Sequence, residues 1–235
     1  MIKNGLIAVV LCGIMMGFCS PVNAVTQDEE SKITAAMPDK PVVTPARQRA
    51  ILVFSRCDGF KHSSIPYWVK ALEIMSAKTG AFKADFSDDM AVFTEQNLQK
   101  YDAVCLNNTT KLVFTDAQKA AFMNFVKGGK GVIGIHAATD NFYEWPEAAE
   151  MMGGQFTSHP WTGGGTWAIK IDQPNHPLMT MFEGKGFKVN DEIYLTAAPL
   201  YSRSKQLVLM SLDMSDEVTR NAPGVPAKDA DTGIS

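Results

Sequence analysis

Only four histidines occur in the chain, His62, His136, His159 and His176. Imidazole changes charge near neutral pH and can act as acid, base or metal ligand, so these four are where chemistry is sought first. None falls in a helix-period pair of the His-Glu-x-x-His kind. His136 has the strongest case. It follows Gly134-Ile135 and precedes Ala137-Ala138. Small neighbours let the backbone turn sharply, as in a nucleophile elbow, which presents one side chain at the top of a sheet.

His159 lies in Ser158-His159-Pro160-Trp161, ahead of Gly163-Gly164-Gly165. Proline stiffens the backbone there, and Trp161 could stack on a sugar ring. His62 comes just before a predicted helix start, where free N–H groups suit hydroxyls or anions; a capping role is the alternative. His176, in Asn175-His176-Pro177, reads as a turn residue. Glu192, after Asp191 and ahead of Ile193-Tyr194-Leu195, places a carboxylate at a strand edge. It could orient an imidazole, ligate a metal or act as a base. His136, His159 and Glu192 are the catalytic candidates. His62, Thr139, Asp140 and Trp161 are the substrate-binding candidates. His62, His136, His159 and Glu192 could also hold a divalent metal such as zinc. Their long-range spacing leaves that open, and no cofactor loop is present. Gly128-Gly129 lacks a following Gly-Lys-Ser/Thr and reads as a helix stop.

These residues need a scaffold. Residues 50–54 form a continuous apolar run, as expected for a strand buried on both faces. A helix is predicted from a Ser64 cap, with Pro66 in its first turn, to Thr79, where Gly80 stops it. Strands follow at 81–86, 103–106 and 131–135. Between them lie a short helix at 93–100, capped by Thr94, and a helix to Lys127 opened by a Thr115/Gln118 capping box. This alternation predicts an α/β fold with a parallel sheet and helices on both faces. The ligand crevice of such folds lies beyond the carboxyl ends of the strands, which singles out the loops 55–63, 107–111 and 136–145. Further on, a helix is expected at 146–152, strands at 166–171, 188–195 and 206–212, and loop at 213–235.

The 235 residues predict one domain with tails. A net charge of −3 gives no basic field for nucleic acid or anionic lipid. Lys3, an apolar run over 6–18 and Pro21-Val22-Asn23-Ala24 read as a secretory signal peptide over 1–24, cleaved after Ala24. A secreted or periplasmic protein without stable membrane insertion is expected. Residues 25–49, with Pro38, Pro41 and Pro45, read as a flexible linker. Export would permit a disulfide between Cys57 and Cys105, but each reads better as a small buried residue near a strand end.

Several segments together resemble the ThuA-like family, linked to trehalose utilisation. They are 59–63 (Gly-Phe-Lys-His-Ser), 134–140 (Gly-Ile-His-Ala-Ala-Thr-Asp), 153–156 (Gly-Gly-Gln-Phe), 158–160 (Ser-His-Pro), 175–177 (Asn-His-Pro) and 191–194 (Asp-Glu-Ile-Tyr). The resemblance spans residues 50–235. It implies a flavodoxin-like three-layer sandwich of the class I glutamine amidotransferase-like superfamily. True amidotransferases carry cysteine at the elbow; His136 in its place argues against thiolate chemistry. The family also leads one to expect a further strand and a Leu-Gly-His ending beyond Ser235, so the chain reads as truncated at its C-terminus.

The leading expectation is therefore an exported enzyme acting on a small carbohydrate. It would use acid/base or metal-assisted chemistry on a sugar or 3-keto-sugar of disaccharide metabolism. The rival is a non-catalytic sugar-binding module with Tyr143, Trp145, Trp161 and Trp167 as a stacking surface.

Overall fold

The computed structural model describes residues 25–196, 200–225 and 233–234. The proposed signal peptide lies outside the described residues. The elements in chain order are α1 (Gln27–Ala36), β1 (Arg49–Phe54), α2 (Ile65–Thr79), β2 (Phe82–Ser87), α3 (Glu95–Leu98), β3 (Ala103–Asn107), α4 (Asp116–Lys127), β4 (Gly131–Ile135), α5 (Pro146–Met152), β5 (Phe156–Trp161), β6 (Trp167–Ile171), β7 (Phe187–Val189), β8 (Ile193–Thr196), β9 (Met210–Leu212), α6 (Glu217–Arg220) and β10 (Gly233–Ile234).

The central sheet is parallel, in the order β2-β1-β3-β4. Alternation along β1 and β3 sends Leu52, Phe54, Val104 and Leu106 to one face. There they join Phe93, Phe114, Phe122 and Phe125 in the main core, completed by Ala148 and Ala149 of α5. Val53 and Cys105 point the other way and are also buried. Both faces are therefore covered, which accounts for the continuous apolar runs. The parallel sheet and alternating helices are consistent with a flavodoxin-like fold. The capping box of Thr115 and Gln118 forms as expected, with both reciprocal hydrogen bonds present.

Register aligns the strand ends that matter. Phe54 pairs with Leu106, and Leu106 with Gly134. The chain segments leaving β1, β3 and β4 thus emerge side by side.

The second half differs from expectation in specific places. Residues 156–161, to which the sequence reading assigns no element, form a strand. Proline is tolerated because this strand belongs to a two-stranded ribbon with β8, whose register shifts on either side of Ser158. The single strand expected over 188–195 is broken into β7 and β8. Asn190 donates to the carbonyls of Gly163 and Gly165, and the Asp191 carboxylate accepts from the Glu192 N–H, so side chains compete with the ladder there. Strands β10-β9-β6-β7 form a separate antiparallel sheet. It packs around Trp161, Trp167, Ile169, Ile193 and Leu212, a second core. The expected loop over 213–235 holds α6, capped by Asp216, as well as β10.

The expectation of a flexible linker over 25–49 is also corrected. It contains α1, opened by a Thr26/Glu29 capping box. This helix buries no residue. Polar contacts hold it to α2: Tyr67 donates to Glu29 at 2.8 Å, and Lys78 reaches the carbonyls of Thr34 and Met37. A helix fixed this way needs no apolar periodicity, so hydrophobic patterning misses it. No helix among the described residues is long and apolar enough to cross a membrane.

Candidate functional site

His136 occupies the turn leaving β4. Its φ is +45°, in the left-handed region that non-glycine residues rarely adopt. Gly134 allows this approach: a Cβ there would lie 2.6 Å from the Met152 side chain and 3.1 Å from Ala138. Asn108, Lys111 and Phe142 share the positive φ. Backbone strain is thus gathered in the segments after β3 and β4, where strain accompanies function in many proteins.

A buried polar frame holds these loops. Asn141 accepts from the Leu112 N–H at 2.8 Å and donates to the carbonyls of Thr109 and Ala138 at 2.7 and 3.1 Å. Asn107 donates to Ser55, and Thr110 donates to the Phe60 carbonyl at 2.9 Å. Residues 107–110 are all fully buried. Polar groups are buried only when partnered or needed, and here they lock the 55–63 loop that carries His62.

Glu192 is delivered from the turn that enters β8 of the two-stranded ribbon. Its turn is tied by the Asp191 carboxylate, and the Trp167 indole N–H donates to Asp191 O at 3.0 Å. The β5–β8 ribbon brings His159 to the same place. The Glu192 carboxylate then meets three imidazoles. Oε1 lies 3.3 Å from His136 Nε2 and 3.6 Å from His62 Nε2, while Oε2 lies 3.4 Å from His159 Nδ1. The Tyr194 hydroxyl is 3.2 Å from His62 Nε2. Its ring centroid stands 4.2 Å from those of both His136 and Phe156. A cavity of about 420 Å³ opens over this group. Its lining includes Trp68, His136, Thr139, Glu192, Tyr194 and Thr196.

Burial, and then the neighbouring His62, lower the His136 pKa below its usual value. The ring is therefore neutral at neutral pH, able to accept a proton or to ligate. Burial, and then the Glu192 charge, push the Tyr194 phenol well above its usual range, so it stays a donor.

The structure thus gathers His62, His136, His159 and Glu192, and puts Thr139 in the cavity wall. It does not bring Trp161 there. Trp161 is fully buried in the second core, its indole donating to Thr219 O at 2.9 Å, so it has no face for a sugar. Trp145 and Trp167 are buried as well, leaving Tyr143 as the exposed member of the stacking surface considered above. Asp140 is buried and engaged: its carboxylate accepts from Tyr143 at 2.5 Å and Lys111 at 2.9 Å. His176 accepts from the Leu178 N–H within its own turn. Cys57 and Cys105 are free thiols, and Cys57 donates to the Asn108 carbonyl. Tyr194, Trp68 and the Asn107–Asn141 frame were missed by sequence reasoning. The loops 107–111 and 136–145 were singled out because they follow strands of the parallel sheet, but that signal does not reach the individual residues of the frame.

The donor set fits a cation. One ligand atom each from His62, His136 and Glu192 can be chosen within 4.8 Å of one another. Zinc bonds near 2.0–2.2 Å in a tetrahedron give ligand-to-ligand edges of about 3.4 Å; the two histidine–Glu192 separations are close to that. His159 faces the other carboxylate oxygen.

Fold and site define an α/β protein with a parallel sheet and a histidine–carboxylate cluster at its strand ends. The family model described as ThuA, trehalose utilisation, matches residues 50–232. The chain belongs to the ThuA family, which gives it a role in sugar metabolism. Among solved structures it is similar to a ThuA-like protein from Bacteroides uniformis, with a TM-score of 0.65 and 18% identity over 83% of this chain and 79% of that one. It is also similar to a ThuA-like protein from Parabacteroides merdae, with a TM-score of 0.58 and 18% identity over 76% and 72% of the two chains. No curated protein matches it.

Proposed function

We propose that the protein is an exported enzyme that performs acid/base chemistry on a sugar or 3-keto-sugar. The supporting observation is the single carboxylate of Glu192 shared by three imidazoles, with Glu192 and His136 in the wall of one cavity. A ketone at C3 acidifies the C–H at C2. His136, neutral and buried, takes that proton. The electron pair moves toward the carbonyl oxygen, which the Tyr194 hydroxyl or the N–H of His159 can stabilise by hydrogen bonding. Collapse of the enolate with loss of the C1 oxygen completes an elimination, and the leaving oxygen takes its proton from His159. Reprotonation at a neighbouring carbon instead gives isomerisation. Glu192 orients the imidazoles and stabilises whichever becomes cationic.

The test is turnover of 3-keto-disaccharides by the secreted protein and by His136→Asn. Asparagine tolerates the left-handed backbone of residue 136. Loss of about 100-fold or more in kcat/KM is expected. Equal turnover by the variant would remove His136 from the mechanism. Export is tested by N-terminal sequencing of the periplasmic or culture-fluid protein, expected to begin at Val25.

A second reading has support of its own in the compact His62/His136/Glu192 ligand set. There a bound divalent ion would supply Lewis acidity toward the carbonyl. Metal analysis after purification without chelators separates the two. Near-stoichiometric zinc, lost together with activity on chelation and restored by adding it back, favours the metal; full activity with less than about 0.1 ion per chain favours the metal-free route.

A further inference from the structure

The chain has four tryptophans. Three are buried: Trp145, Trp161 and Trp167 are exposed by 8%, 0% and 5%. Trp161 and Trp167 also have their indole N–H groups hydrogen-bonded inside the protein. Trp68 is different. It sits in the first turn of α2, is 41% exposed, and lines the cavity that holds His136 and Glu192. Phe60, 71% exposed and on the loop before His62, has its ring edge-on to that imidazole. Large aromatic surface is thus left open beside the candidate catalytic group, although the fold buries its other indoles.

The polar lining has a definite sign. Among the described residues no lysine or arginine lines this cavity. Its ionisable groups are His136, Glu192 and Tyr194, and hydroxyls come from Thr139 and Thr196. A phosphate or carboxylate group would meet the Glu192 charge with no cation to offset it. Hydroxyls and an apolar ring face are what such walls accommodate.

We propose that Trp68 is the stacking platform for a neutral, unphosphorylated pyranose ring, seated so that the ring presents to the Glu192–histidine group. The inference rests on reading the site as carbohydrate-acting and adds its substrate class and a specificity residue. The axial C–H face of the ring lies on the indole, and the hydroxyls face Thr139, Thr196 and Glu192. Sugar phosphates and uronates are selected against by charge.

Calorimetric titration of the full chain with trehalose, maltose, cellobiose and trehalose 6-phosphate tests this, using wild type, Trp68→Phe and Trp68→Ala. At least one neutral disaccharide is expected to bind, with affinity falling about tenfold in Trp68→Ala and staying within about threefold in Trp68→Phe. Trehalose 6-phosphate is expected to bind about tenfold or more weakly than trehalose. If Trp68→Ala does not fold, acrylamide quenching substitutes: the bound sugar should shield wild-type fluorescence and leave Trp68→Phe fluorescence unshielded. Disaccharide binding that is indifferent to Trp68, or a tighter 6-phosphate, overturns the inference and leaves the carbohydrate reading standing. Failure of every neutral sugar to bind overturns both.

Discussion

His136 Nε2 and Glu192 Oε1 stand 3.3 Å apart, although one follows a strand of the parallel sheet and the other precedes a strand of the β5–β8 ribbon. This contact ties the two halves of the chain at the candidate site. The neighbouring charges pull His136 in opposite directions: His62 lowers its pKa and Glu192 raises it.

That opposition gives a paired prediction. In Glu192→Gln the His136 pKa falls further, because the carboxylate that favours the cation is gone. In His62→Asn it rises, because the competing imidazole is gone. NMR titration of the His136 ring in the presence of EDTA measures both. Shifts of the same sign in the two variants would contradict the arrangement.

Stability should depend on pH through the same residue. The folded pKa of His136 lies below the unfolded value, near 6.5. Above that value neither state carries the proton, and His136 contributes nothing to the slope. As pH falls through 6.5 toward the depressed value, the unfolded chain takes up the proton first and stability is lost. Denaturant midpoints of wild type and His136→Asn should therefore diverge below about pH 6.5, the wild type falling more steeply. Parallel curves would show that burial does not hold this ring neutral.

Asn141 carries the frame under the elbow. Asn141→Ala removes hydrogen bonds to Leu112, Thr109 and Ala138 inside the protein. The expected loss is about 2–4 kcal/mol by urea unfolding, from unsatisfied buried groups. A change below about 0.5 kcal/mol would mean that the loops hold without it.

Trp161 is predicted to act through packing. Trp161→Ala should destabilise by about 3–5 kcal/mol, as expected for an indole lost from a filled core. Near-wild-type stability with loss of sugar binding would instead return it to the site.

Burial pushes the Cys105 thiol up to about 12. It should resist thiol reagents at pH 8 in the native protein and react only on unfolding. Rapid native labelling at Cys105 would show that β3 opens.

Much of the first half was legible in the sequence. Residues 50–135 carry strong local signals: apolar runs for β1 and β3, a proline start and glycine stop for α2, and a capping box for α4. The second half was harder to read. The β5–β8 ribbon depends on long-range pairing with register shifts, and β5 contains a proline. The break between β7 and β8 comes from Asn190 bonding to a glycine segment distant in sequence. Helix α1 carries no apolar stripe at all. Trp161 was misplaced because an indole next to a histidine looks the same in sequence whether it faces a ligand or a core.

The sequence by itself determined which residue types could do chemistry, that His136 stands at the end of a strand, and that a parallel α/β sheet would present it. These follow from local periodicity and turn chemistry, which act over a few residues. Only the tertiary structure decided that the strand before His136, β4, lies at the sheet edge with no buried residue. It also decided that Glu192 is shared by three imidazoles, that Tyr194 joins them, and that Trp68 rather than Trp161 faces the cavity. Those outcomes depend on how two sheets and a ribbon pack together, because side chains far apart in sequence become neighbours only when both cores are buried.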